Sequence, residues 1–199
     1  MFAAEKQIRA KFDNETIRVY QAYNNAIANE AIKTGRFVSP PFKLDRMTWI
    51  KPSFLWMMYR CGWGRKDEGQ CRILAIDITR TGFEWALKHS CLSHRPESMP
   101  HEDWVDVKNS YPVRIQWDPE TDIELNKLEY RSIQIGLSGI AVAKYVHDWI
   151  VNITDITKMV HSTHYLLQTG QMDAAIEMIP VEEVYSVSDR LMHRLDIKS

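Results

Sequence analysis

One run constrains the fold more than any other stretch of this chain: Arg72–Thr79, RILAIDIT. β-Branched and aliphatic residues fill most of its positions, so both faces of the extended chain need cover. Such a run is expected as a central strand. Asp77 interrupts it. A carboxylate there needs a partner, and Arg80 and Arg46 are the candidates. An ion pair is the expected role, ahead of a catalytic acid, because structural ion-pair networks also perturb carboxylates.

The other strands alternate. The segment from Ile17 to Tyr23 places Ile17, Val19, Gln21 and Tyr23 on one face and Arg18, Tyr20 and Ala22 on the other. The segment from Tyr111 to Trp117 turns Val113, Ile115 and Trp117 inward. In RSIQIGL, from Arg131 to Leu137, Ile133, Ile135 and Leu137 share one face, and Ser132, Gln134 and Gly136 share the other. Residues 181–187 read as a last strand.

Helix signals lie between the strands. Asn24 and Asn25 can cap a helix carrying Ile27, Ala31 and Ile32, and Gly35 is placed to end it. Thr81-Gly82-Phe83-Glu84 fits a capping box opening a helix through about Ser90. Ser138 is placed to cap a helix with the stripe Val142, Tyr145, Val146 and Trp149. A further helix is expected from Asp155 to Gly170. Ser39-Pro40-Pro41 predicts an extended loop, residues 96–106 an acidic surface loop, and Asp118-Pro119-Glu120 a turn. This irregular interleaving predicts an α+β fold. The expectation is a single domain over residues 1–199, with a central, mostly antiparallel or mixed sheet flanked by helices.

The 199 residues, 45% of them hydrophobic, suffice for one domain with a sizeable core. A net charge of −1 excludes a general polyanion trap, so any nucleic-acid contact has to come from a local patch. Cys61, Cys71 and Cys91 are odd in number and form no CxxC pair. They argue against a disulfide framework or a zinc ribbon and for a reducing, cytoplasmic setting. The opening MFAAEKQIRAKF lacks the apolar stretch of a signal peptide, and no apolar run approaches the roughly 20 residues of a membrane helix.

A local patch exists. RMTWIKPSFLWMMYRCGWG, from Arg46 to Gly64, holds three tryptophans, one tyrosine and three basic residues. From Lys43 to Arg72, seven basic residues face three acids. Pro52 suits the first turn of a helix and Gly62 its end. Phe54, Met57, Met58 and Cys61 form one apolar stripe, leaving Trp56 and Tyr59 on the other side. An aromatic pair beside Arg60 can stack on a planar ligand and hold a phosphate. The competing reading buries Trp56 as core. His161 and His164, at i and i+3, lack a third ligand and are expected as a solvated or hydrogen-bonded pair. Cys61 and Cys71 sit in basic surroundings that can lower a thiol pKa, but buried filler is the expected role. No Gly-x-Gly-x-x-Gly, Walker loop or Gly-x-Ser-x-Gly elbow occurs.

RMTWIKPSFLWMMYRCGWG, ILAIDITRTGFEWAL, IQWDPE and RSIQIGL, in that order, resemble the uncharacterised domain-of-unknown-function family 4291, a name that implies no activity. The opening IRVYQAYNNAIANEAIKTG is similar to the start of ADP-ribosyltransferase-like domains. There, a polar side chain on the first strand helps hold the nicotinamide half of NAD. The resemblance implies Gln21 in that place, with Tyr23 beside it. A late glutamate usually completes such a site. This chain departs from the pattern, having no Gln-x-Glu or Glu-x-Glu, and Ser132 and Gln134 stand where the glutamate is expected. Glutamine carries no charge to stabilise an oxocarbenium ion and cannot act as a base. Either Glu182 or Glu183 supplies the carboxylate, or the chain is an inactive relative.

The resulting expectation is a cleft that binds NAD or a related nucleotide. Gln21, Tyr23, Arg46, Thr48, Lys51 and Ser53 are expected to line it, with Arg46 or Lys51 on the pyrophosphate. Gln134 with Ser132 is expected near the reacting ribose carbon. The implied reaction transfers ADP-ribose to a protein or nucleic-acid acceptor, with no metal and no membrane involved. The alternative is a non-catalytic RNA or single-strand binding module built on the same basic aromatic segment. A third reading is a protein-interaction domain with its tryptophans in the core.

Overall fold

Arg72–Thr79 lies in the middle of a three-stranded antiparallel sheet, with one strand on either side. The computed structural model describes residues 6–95 and 100–197. In chain order, β1 (Arg9–Ala10) precedes β2 (Thr16–Tyr23) and α1 (Asn25–Thr34). Asn24 caps α1 by accepting the Ile27 amide, and Gly35 ends it at φ 70°. Next come β3 (Thr48–Ile50), α2 (Phe54–Cys61), β4 (Arg72–Thr79) and α3 (Arg80–Lys88). They are followed by β5 (Ser90–Leu92), α4 (His101–Ser110) and the long hairpin β6 (Val113–Thr121) and β7 (Lys127–Leu137). α5 (Ile140–Lys144) widens into a π-type segment, Tyr145–Trp149. β8 (Ile150–Asp155), α6 (Thr157–Gln168), α7 (Met172–Met178), β9 (Glu183–Val184) and α8 (Asp189–Leu195) complete the order.

Two sheets dominate. β2, β4 and β8 form the antiparallel one. The other has the order β3-β7-β6-β5 and is mixed, since β5 runs parallel to β6. β1 and β9 pair separately. The single central sheet expected from the pattern is therefore split in two. Their backbones meet at a bridge, where the Tyr20 amide donates to the Lys51 carbonyl at 2.7 Å and the Lys51 amide returns a bond at 3.3 Å.

The split explains the composition of β4. Leu74, Ile76 and Ile78 join Ile17 and Val19 of β2 and Ile115, Ile133 and Ile135 of the mixed sheet in one large buried cluster. Ile73 and Ala75 belong to a second cluster with Tyr20, Phe54, Met57, Met58, Cys61 and Trp63, closed by Val160 of α6. Both faces of β4 are thus covered, and each fully buried aliphatic side chain contributes roughly 1.5–3 kcal/mol. The result is a single α+β domain with mixed and antiparallel sheets flanked by helices.

Several local expectations are corrected. Asp118-Pro119-Glu120 does not turn but continues β6, with Asp118 opposite Ser132 and Pro119 opposite Arg131. The ladder tolerates Pro119 at an irregularity between Pro119 and Thr121. Residues 101–106 are helical, in α4, while residues 96–99 of the expected loop lie outside the described residues. α3 begins at Arg80, capped by the Thr79 hydroxyl, two residues earlier than the Thr81 box proposes. α2 begins at Phe54 with Ser53 as its cap, leaving Pro52 outside. Ser138 caps no helix, because its hydroxyl donates to the Pro112 carbonyl. Asp155 ends β8 and accepts the Thr157 amide, so the helix expected from it, α6, begins two residues later, and residues 181–187 shrink to the two-residue β9. Ser39–Pro41 turns, with both X–Pro bonds cis, rather than running extended.

Candidate functional site

Beyond the Tyr20–Lys51 bridge the two sheets part, and a cleft of about 840 Å³ opens there. β2 supplies Gln21 and Tyr23, the β3 segment Thr48, Trp49 and Lys51, and the paired strands β6 and β7 supply Gln116 and Gln134. The loop before β3 adds Lys43 and Arg46, and α2 adds Met57 and Arg60. Four basic side chains, Lys43, Arg46, Lys51 and Arg60, line it against one acid, Asp67. The loop is anchored by Phe42, which stacks on Phe37 at 4.7 Å and meets Tyr23 edge-on. Trp49 lies so close over Gly136 of β7 that a Cβ there would fall 2.9 Å from its ring. Glycine at that position is what lets the indole lie against the strand.

Six of the eight expected site residues therefore share one cleft: Gln21, Tyr23, Arg46, Thr48, Lys51 and Gln134. Their situations differ. Gln21 is buried, and its carboxamide is fully engaged: Nε2 lies 3.0 Å from the Trp49 carbonyl, 2.8 Å from Thr48 Oγ1 and 2.9 Å from the Tyr23 hydroxyl. Its Oε1 accepts from Tyr145 at 2.7 Å. Two amide protons are shared among three oxygens, with Tyr23 and Thr48 only 2.9 Å apart. This knot laces the diverging edges of the two sheets. Burial holds the Tyr23 and Tyr145 phenols well above their ordinary pKa, so both stay protonated donors.

Lys51 contrasts with it. The residue is 5% exposed, and no salt bridge or side-chain hydrogen bond holds its ammonium among the described residues. Burial first, and then the Arg60 charge, push its pKa down to about 8, against the pull of Asp118. Asp118 is itself fixed by two glutamines: Gln134 Nε2 donates to one carboxylate oxygen at 2.7 Å and Gln116 Nε2 to the other at 2.9 Å. Gln116 and Gln134 line the cleft, and Asp118 stands behind them, off the lining. The proline beside Asp118 signals a turn in sequence, which hid this role.

Ser53 and Ser132 are not on the cleft lining. Both are about 1% exposed, and their hydroxyls hydrogen-bond the carboxyl of Glu120. Ser53 also accepts the Trp56 amide, so its side chain caps α2. Glu182 is not on the lining either: its carboxylate accepts the Phe54 amide at 2.8 Å, at the start of α2. Burial, opposed by that amide and reinforced by Glu120, raises its pKa to about 8. Glu183 is exposed in β9. Neither glutamate meets the cleft, and the carboxylate nearest Gln134 is Asp118.

The remaining sequence expectations resolve locally. Asp77 pairs with Arg18 across β2 and β4, through bonds of 2.7 and 2.8 Å, instead of with Arg80 or Arg46. Arg131 donates to the Trp117 carbonyl. Trp56 is buried and Trp63 joins the second core, so α2 does not present an outward aromatic pair; Tyr59 alone is exposed, at 42%. α2 packs against both β2 and β6, and the Trp56 ring lies 5.2 Å from that of Tyr59. Trp63 reaches the core because Gly62 and Gly64, at φ 57° and 74°, allow a left-handed run around it. Burial raises the Cys61 thiol pKa, opposite to activation. His164 stacks on Trp63, burial lowers both its own pKa and that of His161, and no group of three metal-ligating side chains forms among the described residues.

The model of the domain of unknown function DUF4291 matches residues 7–185. That span takes in both main sheets and every residue of the cleft. The chain belongs to this family. The DUF4291 match also covers the β1–β9 pair. A comparison with curated proteins gave no match. No helix among the described residues is long and apolar enough to cross a membrane.

Proposed function

We propose that this DUF4291 chain binds NAD or a closely related nucleotide in the cleft between its two sheets and acts as an ADP-ribosyltransferase-like protein. The observation that carries the reading is the meeting of β2, β3 and β7 side chains with four basic residues in one concave site. Its volume, about 840 Å³, suits a dinucleotide-sized ligand. Arg46 and Lys43 stand on an anchored loop, where a guanidinium can grip a diphosphate bidentately. Trp49 and Tyr23 offer ring surface to a base. Gln21 serves as the lace that holds Tyr23 and Thr48 in place, since its own polar atoms are already engaged.

If NAD is the ligand, loss of nicotinamide leaves positive charge on the ribose. In this reading that charge is stabilised through Gln134 by the Asp118 carboxylate bonded behind it, a task glutamine cannot perform alone. The acceptor, in this reading, is a protein or nucleic-acid nucleophile. The single-strand binding alternative loses much of its stacking platform, because Trp56 and Trp63 are buried. The test is thermal unfolding with and without NAD or ADP-ribose. Ligand at about 100 times its Kd is expected to stabilise by about 2.7 kcal/mol, and Arg46→Ala is expected to remove the shift. An unshifted wild-type protein at millimolar ligand would overturn the reading.

A further inference from the structure

Among the cleft residues, Lys51 has an amine left over after every structural role is assigned. Its main chain is clamped to Tyr20 by both backbone bonds, which fixes where the side chain starts. The side chain is buried yet lines the cleft, so its nitrogen opens to a ligand and to little else. Lys33 and Lys88, by contrast, are 74% and 60% exposed and pair with Glu30 and Glu84. The groups facing Lys51 are Arg60 and Cys61 from α2 and Asp118 from β6. With a pKa lowered to about 8, a share of the amine is neutral near physiological pH. Desolvation beside a second cation is a recognised way to make a lysine nucleophilic.

We infer that Lys51 is a nucleophile whose amine condenses with the C1 aldehyde of a phosphorylated sugar held in the cleft, the open-chain form of ADP-ribose being the ligand of that class that fits. The inference rests on the nucleotide reading for its ligand, but not for the reactivity of the amine. The neutral amine adds to the carbonyl carbon. The carbonyl oxygen then leaves as water with the two amine hydrogens, and a carbon–nitrogen double bond remains. No oxidant or reductant is needed. Arg46 and Lys43 hold the phosphates, and the Asp118 charge favours the protonated imine.

The experiment uses the full chain with ADP-ribose at about pH 8, cyanoborohydride to reduce any imine to a stable amine, and peptide mapping by mass spectrometry. Labelling at Lys51 is expected to exceed that at Lys33 and Lys88 on the order of tenfold, following the larger neutral fraction of its amine. Lys51→Arg is expected to lose that adduct and leave the others unchanged. The wild-type map carries the test even if the variant fails to fold. Equal labelling of all lysines would overturn the inference. Two parallel measurements separate the causes: calorimetric binding of ADP-ribose without reductant, and labelling by glyceraldehyde 3-phosphate. Binding of ADP-ribose without Lys51 labelling by either aldehyde sinks the nucleophile and leaves the nucleotide reading. Lys51 labelling by glyceraldehyde 3-phosphate without ADP-ribose binding supports the nucleophile and sinks the nucleotide reading. Failure of all three sinks both.

Discussion

Two polar clusters, one at the cleft and one at the start of α2, are built on opposite principles. On the cleft side, Gln21, Tyr23, Thr48 and Tyr145 are neutral and bonded to one another. On the other side, Glu120 and Glu182 place two carboxylates near the start of α2, with Ser53, Ser132, two backbone amides and the charge of Arg9 around them. The first cluster keeps its bonds across any ordinary pH, because its members do not titrate there. The second is conditional: it is comfortable only while at least one carboxyl keeps a proton. The comparison teaches that the polar knot at the cleft is held by neutral hydrogen bonds, while the paired carboxylates lie off the lining and Lys51 is the titrating group buried within it.

The sharpest way to break the comparison is Gln21→Leu. It leaves the Tyr145 hydroxyl and the Trp49 carbonyl buried without their partner. The expected loss is about 3 kcal/mol in denaturant unfolding, or roughly 10 °C in Tm, and it should be independent of pH. A loss that varied with pH would show that the neutral cluster is coupled to the carboxylates.

Glu182→Gln tests the other side. The folded chain holds this carboxyl at about 8, above its ordinary 4.5, so it keeps a proton that the unfolded chain has lost. Stability present below about 4.5 is therefore lost as pH rises through about 8. Glutamine can still accept the Phe54 amide and never ionises. The variant is expected to flatten that decline and to raise Tm at about pH 8.5 by roughly 3 °C, with little change near pH 5. An unchanged decline would assign the pH dependence elsewhere. The smallest effect belongs to Tyr59→Ser. Tyr59 is 42% exposed and does not line the cleft, so the change should cost under about 0.5 kcal/mol and leave ADP-ribose affinity unaltered.

Much of this was legible in the chain. The apolar run of β4 gave away its central place, the caps at Asn24 and Gly35 marked α1, and the basic excess between Lys43 and Arg72 pointed to the cleft wall. What stayed hidden depends on contacts between distant segments. Nothing local says that Gln21 spends its amide on Trp49 and Tyr145, or that Arg18 rather than Arg80 answers Asp77. Asp118 was masked by turn chemistry that a ladder bond to β7 overrides. Trp56 looked outward on a wheel because a wheel shows one helix and not the strands packed against it.

The backbone pairing of Tyr20 with Lys51 and the Gln21 bonds to Thr48 and Trp49 tie the two sheets together beside the cleft, which has a mechanical consequence. The backbone bearing the cleft's buried amine is therefore part of the joint between the sheets. A ligand gripping that amine would press directly on that joint. Its grip would be felt as stiffness in both sheets, far beyond the atoms it touches.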